Sequence, residues 1–346
     1  MKRFNGEDSS VTSPRATSIR DVAARAGVSV GTVSNVLNDS PRVSPGARAK
    51  VRSAIADLGY VRNDAARQLR AGRSTTVGLV VLDVRNPFFT DVARGAEDEA
   101  AQHGLSVILG NSDEDEGRES AYLDLFQEQR VRGILISPYG DIEPRLRRLR
   151  EQGVPVVLVD RESRDAAISS VSVDDVAGGR LAVAHLLATG DRRIAFAGGP
   201  HGIRQVSDRL DGARAAVAEV PGASLEVLPT QALTVLDGRR LGEQLLAGRE
   251  LPDAIFAAND LVAVGLLQAL VMSGSVRVPA DIRLIGFDDI DFAGAAVVPL
   301  SSIRQPRHEI GATALRILRE EAADPGLAPR RIVFQPELVE RTSTAR

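Results

Sequence analysis

IRDVAARAGVSVGTVSNVLN, residues 19–38, reads as two short helices around a glycine turn. Ser18 and Asp21 give an S-x-x-D start of the capping-box type. Gly27 breaks the first helix. Ser29 is placed to cap a second helix from Val30 to about Leu37. Ala23 and Ala24 let the two helices approach closely, and Val22, Val28, Val33 and Val36 can bury the angle between them. These are the mechanics of a helix-turn-helix. Its second helix would expose Val30, Gly31, Thr32, Ser34 and Asn35, and its N-terminal end would enter a DNA major groove. Asn and Thr can address base edges or phosphates there. A helical hairpin with no partner is the blander reading of the same pattern.

Working outward, Asn38-Asp39-Ser40-Pro41 is turn chemistry. Ser44 then caps a third helix with Pro45 at its first position, where a missing N–H costs nothing. Val51, Ala54, Ile55 and Leu58 form one apolar stripe in it, and Gly59 suits its end. Three helices over some 45 residues make a small core. Residues 63–71 read as a further short helix capped by Asn63, marginal alone. Gly72 to Thr75 form a linker, and residues 1–16, rich in Ser, Thr, Pro and charge, read as a disordered arm.

Charge supports a nucleic-acid partner for this head. Residues 1–73 hold 13 Lys+Arg and 6 acidic residues, a net of +7, against −10 for the remainder of the 346-residue chain. A basic head on an acidic body is the footprint of DNA binding.

From Thr76 the texture becomes alternating strands and helices. Strand-like runs are 77–84, 105–111, 132–138, 154–160, 168–174, 193–199, 253–259 and 283–289. Amphipathic stretches separate most of them, for example 89–103, 176–189, 206–219, 238–248 and 260–273. This alternation means parallel sheets covered by helices. Eleven or so strands are too many for one small sheet, so two doubly wound lobes are expected. In such sheets ligands bind beyond the carboxyl ends of the strands. Asp83, Asn111, Asp160, Asp174, Asn259 and Asp288 stand at those ends.

The sequence resembles the LacI/GalR family of bacterial transcriptional regulators. The residues that carry the resemblance are D-V-A-x-x-A-G-V-S (21–29), T-V-S-x-V-L-N (32–38), V-S-P-x-x-R-x-x-V (43–51) and L-G-Y-x-x-N (58–63) in the head. In the body they are A-x-x-L (66–69), N-P-F-F (86–89), R-V-x-G-I-L-I (130–136), N-D (259–260), V-P-A-D-I (278–282), I-G-F-D-D (285–289) and I-x-Q-P (303–306). The match runs from about Thr17 to the C-terminus.

The resemblance implies a helix-turn-helix domain over 17–62, a hinge helix and linker over 63–75, and a ligand-sensing and dimerisation core over 76–346. That core would resemble periplasmic binding proteins, with an N-lobe of about 76–173 and 305–331 and a C-lobe of about 174–303 and 332–346. Leu69 would be the apolar wedge in the minor groove, with Arg67 and Arg70 reaching phosphates. Val30, Gly31 and Asn35 fall at the base-reading positions. Pocket candidates are Phe88, Phe89, Asp160, Gln205, Arg209, Asn259, Asp288 and Gln305. Carboxylates and amides suit vicinal hydroxyls, an aromatic face suits the C–H face of a sugar, and Arg209 offers a planar fork. Each has a second reading: Phe88 or Phe89 as core, Asp288 and Asp289 as turn caps, Arg209 as a partner of Asp211 or a strand-end Asp. Leu233 stands near where some members place an aromatic platform.

Together these imply a repressor that binds a near-palindromic operator as a homodimer and senses a small metabolite, a sugar or sugar derivative. No cofactor or metal is implied. No apolar run reaches a membrane span and the first residues lack an apolar signal region, so a cytoplasmic, nucleoid-associated protein is expected. The last residues, 340–346, carry no heptads that would build a four-chain assembly. The absence of cysteine excludes disulfides and thiolate chemistry. An enzyme is a weaker alternative: there is no G-x-S-x-G elbow or G-x-G-x-x-G fingerprint, and His103, His185, His201 and His308 lack metal spacing. A sugar-binding protein without regulatory role, secreted or cytoplasmic, is opposed by the head.

Overall fold

The computed structural model describes residues 17–60, 74–248 and 250–345. The expected arm and the hinge residues Arg67, Leu69 and Arg70 lie outside the described residues. The chain divides into two units at residue 74.

The head holds α1 (Ile19–Ala26), α2 (Val30–Leu37) and α3 (Pro45–Leu58). Each start is fixed by a hydroxyl. Ser18 and Asp21 form a full capping box, Ser29 accepts from the Thr32 amide, and Ser44 accepts from the Ala47 amide. Gly27 (φ 66°) and Gly59 (φ 57°) end α1 and α3 in the left-handed region that favours glycine. Val22, Ala23, Val33, Val36, Val51 and Ala54 form the small core, with Val28, Ile55 and Leu58 packed at its edge. Ala24, expected at the helix contact, faces solvent instead, because Ala23 and Ala26 already occupy the buried face of α1.

The core builds its first sheet from β1 (Thr76–Val81), β2 (Ser106–Asn111), β3 (Ile134–Ile136), β4 (Val156–Val159) and β5 (Ser169–Val173). The helices between are α4 (Pro87–Gln102), α5 (Glu116–Glu128) and α6 (Glu143–Glu151). The chain then crosses into a second lobe of the core with α7 (Asp175–Ala188), β6 (Arg193–Ala197), α8 (Arg204–Ala218), β7 (Ser224–Leu228), α9 (Val235–Leu246) and β8 (Ala254–Ala257). It continues through α10 (Asp260–Met272), β9 (Arg283–Asp288), α11 (Asp291–Ala295) and β10 (Ser301–Arg304). It returns through α12 (Arg307–Ala323) to β11 (Arg331–Phe334), and crosses back to β12 (Glu337–Val339).

The sheet orders are β11-β5-β4-β3-β1-β2 and β12-β10-β9-β8-β6-β7. All pairings are parallel except the edge pair β10–β12. Runs such as Val156–Val159 and Ala254–Ala257 are buried throughout, as strands covered on both faces must be. Residues 332–334, expected in the second lobe, pair with β5 in the first. The chain changes lobe only after Phe334, at Gln335-Pro336, where proline cannot continue the ladder.

Close helix crossings set the frame of the cleft. A Cβ on Gly179 of α7 would stand 2.0 Å from the Arg209 carbonyl oxygen of α8, and one on Gly212 would stand 2.0 Å from the Val176 oxygen. Only glycine at both positions lets α7 and α8 touch by their backbones. Gly179→Ala is therefore expected to cost about 1–3 kcal/mol through overpacking, read by urea unfolding. Unchanged stability would show that the helices can separate freely.

Candidate functional site

In the head, α2 sorts its residues by face. Val33 and Val36 are buried against α1 and α3. Val30 is 41% exposed, and Gly31 and Asn35 are exposed. Thr32 and Ser34 are half-buried, and the Thr32 hydroxyl lies 2.9 Å from that of Ser29. Thr32 thus already has a local partner at the helix start, where the amide ends also favour phosphate. Val30, Gly31 and Asn35 form the open face.

In the core, a cleft of about 460 Å³, the open solvent at its mouth included, lies between the lobes. Leu82, Asp83, Asn86, Phe88, Phe89, Glu114 and Asp160 line it from the first lobe. Ile203, Gln205, Val206, Arg209, Leu233, Asn259 and Asp288 line it from the second. Phe88 and Phe89 pack edge to face, ring centroids 5.0 Å apart, and offer the cavity an aromatic corner.

Side-chain hydrogen bonds cross between the lobes. Gln205 Nε2 donates to both the carbonyl and Oδ2 of Asp160 at 2.8 Å. Asn86 Nδ2 donates to Asp288 Oδ2 at 3.2 Å, while its Oδ1 accepts from the Phe88 amide and so caps α4. At the rim, Arg204 Nη1 reaches the Glu162 carbonyl at 3.2 Å.

Arg209 is the buried cation of the site. Its Nε donates to Asp175 Oδ1 at 2.7 Å and its Nη1 to the Ala258 carbonyl at 2.7 Å. Nη1 also lies 3.9 Å from Asp288 Oδ1, and the guanidinium carbon sits 3.7 Å above the Phe287 ring centroid. Burial opposes its charge, but Asp175, Asp288 and Asp160 outweigh burial and hold its pKa raised. Burial raises the Asp288 carboxyl, against the pull of Arg209, Asn86 and Gln305. Burial and the Asp175 charge push Asp160 well above the usual carboxylate range.

The loop after β9 is held in an unusual shape. Asp288 has φ 108° and Asp289 φ 53°, and Asp160 at the end of β4 has φ 60°. Such positions are strained and must be over-determined by their surroundings. Asp260 does this for the β9 loop: its Oδ2 accepts from the Ile290 amide and its Oδ1 from the Ser302 hydroxyl, which in turn accepts from the Asp289 amide. Burial raises the Asp260 pKa well above the usual range. Asp289 is further paired with Arg304 and Arg341, both at 2.7 Å.

Seven of the eight pocket candidates from the sequence face this cavity. Gln305 does not; it lies behind Asp288 and donates to its Oδ1 at 2.8 Å. Asp211 pairs with Arg214 rather than Arg209. Among the strand-end residues, Asn111 accepts from the Val84 amide and Asp174 caps α7, so neither lines the cavity. Asn86 and Glu114 do line it and were missed. Asn86 carried a signal as the cap before Pro87. Glu114 sits in the acidic turn Ser112–Glu116 and carried none.

A helix-turn-helix head followed by a two-lobed core with a polar cleft defines a class of ligand-responsive DNA-binding regulators. Residues 18–63 match the model for bacterial regulatory proteins of the lacI family, and residues 183–344 match that for a periplasmic binding protein-like domain. A ribose operon repressor of Bacillus subtilis is 36% identical over 301 residues, covering 87% of this chain and 90% of the relative. The lac repressor dimer bound to operator and the anti-inducer ONPF has a TM-score of 0.81 at 28% identity, covering 96% of this chain and 100% of that one. A LacI family regulator from Enterococcus faecium with bound ribose has a TM-score of 0.71 at 30% identity, over 78% and 98%. The chain belongs to the lacI family of bacterial regulatory proteins. It is a DNA-binding transcriptional regulator and not an enzyme. Among the described residues no helix is long and apolar enough to cross a membrane.

Burial pushes the Asp175 carboxyl up to about 6, against the pull of Arg209. A carboxyl raised in the folded state contributes stability that is full below its ordinary value of 3.8 and is lost as pH rises through about 6. The stability of the wild type relative to Asp175→Asn is therefore expected to fall between about pH 4 and pH 7. Urea unfolding of both proteins across that window checks it; a constant difference would overturn the assignment.

Proposed function

We propose that the protein is a repressor that binds a near-palindromic operator as a homodimer, and that a sugar or sugar derivative held between the core lobes sets its operator affinity. The observation that carries this reading is the cavity itself. Side chains from both lobes meet there across Gln205–Asp160 and Asn86–Asp288, so a ligand must choose between lobe arrangements. A ligand shifts an equilibrium only by its differential affinity for the two states. The aromatic corner and the ring of carboxylates and amides suit hydroxyls and a C–H face. A relative named for a ribose operon and a relative holding ribose make D-ribose the first effector to test.

Domain roles follow the same reading: 17–62 for DNA, 63–75 as hinge and linker, 76–346 for sensing and dimerisation. Two heads related by a two-fold axis match a palindrome, and a single head spans few base pairs. Val30, Gly31 and Asn35 face the bases, Thr32 and Ser34 the backbone, and Arg67, Leu69 and Arg70 act from the hinge. The site of action is the cytoplasm, on the nucleoid.

A gel shift with family-type palindromes, with and without D-ribose and other sugars, tests the whole reading. Operator affinity that no small metabolite alters would sink it and leave the core a dimerisation scaffold. Asp288→Ala is expected to abolish the response, because that carboxylate faces both Arg209 and the cavity.

Asn35→Ala is expected to cost about 1–3 kcal/mol on operator and little on random DNA, as for a lost base contact. Equal losses on both would show that Asn35 does not read bases.

A further inference from the structure

Hydrogen-bonding capacity in the cavity is lopsided. Four carboxylates line it, Asp83, Glu114, Asp160 and Asp288, against one guanidinium, Arg209. That guanidinium is already engaged by Asp175, the Ala258 carbonyl and the face of Phe287. Of the amide donors, Gln205 is held on Asp160 through two bonds, while Asn86 and Asn259 each commit one N–H, to Asp288 and to the Leu233 carbonyl, both at 3.2 Å.

The acceptors are a different matter. Asp160 is 3% exposed, and its Oδ1 is buried with no hydrogen-bond partner. A buried polar oxygen left unpaired is costly, and a ligand hydroxyl, which can donate or accept, removes that cost. Glu114 is half-buried at the other side of the cavity. The charges that act on it most include Asp83 and Asp113 from its own lobe, Asp237 from the other lobe, and the cation Arg85. Arg85 is already paired with Asp83 and Asp113, both at 2.8 Å. Burial and the Asp83 charge raise the Glu114 pKa. The backbone holds Glu114 there at φ 57°, its amide donating to the Leu82 carbonyl at 3.3 Å.

We infer that the cavity takes an uncharged, hydroxyl-rich sugar and rejects the phosphate esters and acids of the same sugar, with Glu114 as a specificity-determining residue. This rests on the reading of the core as a sugar sensor. A neutral sugar brings several O–H donors to Asp160 Oδ1 and Glu114. A phosphate or carboxylate brings only negative charge and acceptors to a cavity lined by four carboxylates and one guanidinium, whose Nε and Nη1 are already committed to Asp175 and the Ala258 carbonyl. Like charges brought together across an interface are one means by which wrong partners are rejected.

Isothermal titration calorimetry on the full chain tests this with paired probes: D-ribose against D-ribose 5-phosphate and D-ribonate, and D-glucose against D-glucose 6-phosphate. The expected result is that a neutral sugar binds and that its anionic forms bind at least about a hundredfold more weakly. Glu114→Gln should narrow that ratio by about tenfold, whereas Glu114→Asp, which keeps the charge, should preserve it. An ester or acid that binds as tightly as its parent sugar, or more tightly, overturns the inference while leaving the sensor reading intact. An unchanged ratio in Glu114→Gln overturns the role of Glu114. If none of the probes binds a protein that still shifts operator DNA, the sensor reading fails and this inference fails with it.

Discussion

The ion pair between Arg209 and Asp175 is the contact on which the sensing core depends. Both partners are buried, at 5% and 7% side-chain exposure. Removing one partner of such a pair leaves a charge stranded and costs about 3–5 kcal/mol. The fold surrounds the pair with constraints that leave it one geometry. Gly179 and Gly212 bring α7 against α8, so that Asp175 at the start of one helix meets Arg209 within the other. Gly178, the neighbour of Gly179, leaves space for the Phe287 ring, since a Cβ there would fall 2.7 Å from it. That ring then lies under the guanidinium, and the residue after it is Asp288. Helix packing, strand end and cavity carboxylate are thereby tied to one cation.

The carboxylates around the cation follow from a second constraint, the direction of parallel strands. Both sheets reverse their strand order, between β1 and β3 in one and between β6 and β8 in the other. The loops beyond the carboxyl ends part at such points and leave room for a ligand. The carboxyl ends of the neighbouring strands β4 and β9 turn sharply as well, and Asp160, Asp288 and Asp289 do so at positive φ. Aspartate tolerates that backbone better than most residues. The same residue type therefore serves the turn and the pocket. Asp260 has only the supporting part: it lines no wall of the cavity, yet its two oxygens hold the amide of Ile290 and the hydroxyl of Ser302 that shape the loop.

Elements whose cause is local were legible in the sequence. Ser18, Ser29 and Ser44 cap helices through bonds within three residues, and Gly27 and Gly59 stop them by their own φ. Continuous apolar runs revealed the buried parallel strands. Short edge strands such as β11 and β12 were less visible, because half of each faces solvent and neither shows a long apolar run. Seven pocket residues could be placed because they stand at strand ends or in helices with family motifs. Whether Gln305 touches the cavity or only Asp288 depends on where two distant strands meet, which no local pattern encodes. Glu114 was invisible for the same reason: it lines the cavity only because the ends of strands distant in sequence converge there.

The head poses the opposite problem, since its fold is fully specified while its surface says little. Packing uses Val33 and Val36, capping uses Ser29, and the Ser29 hydroxyl also occupies Thr32. What remains open on α2 is a valine, a glycine and an asparagine. Valine offers a methyl contact to thymine and glycine offers none, so asparagine is the one side chain there able to pair with a base edge in two-pronged fashion. A reader with so few polar tips must draw much of its discrimination from the shape and deformability of the site. Backbone contacts from the arginines of the basic head can fix its register without encoding sequence.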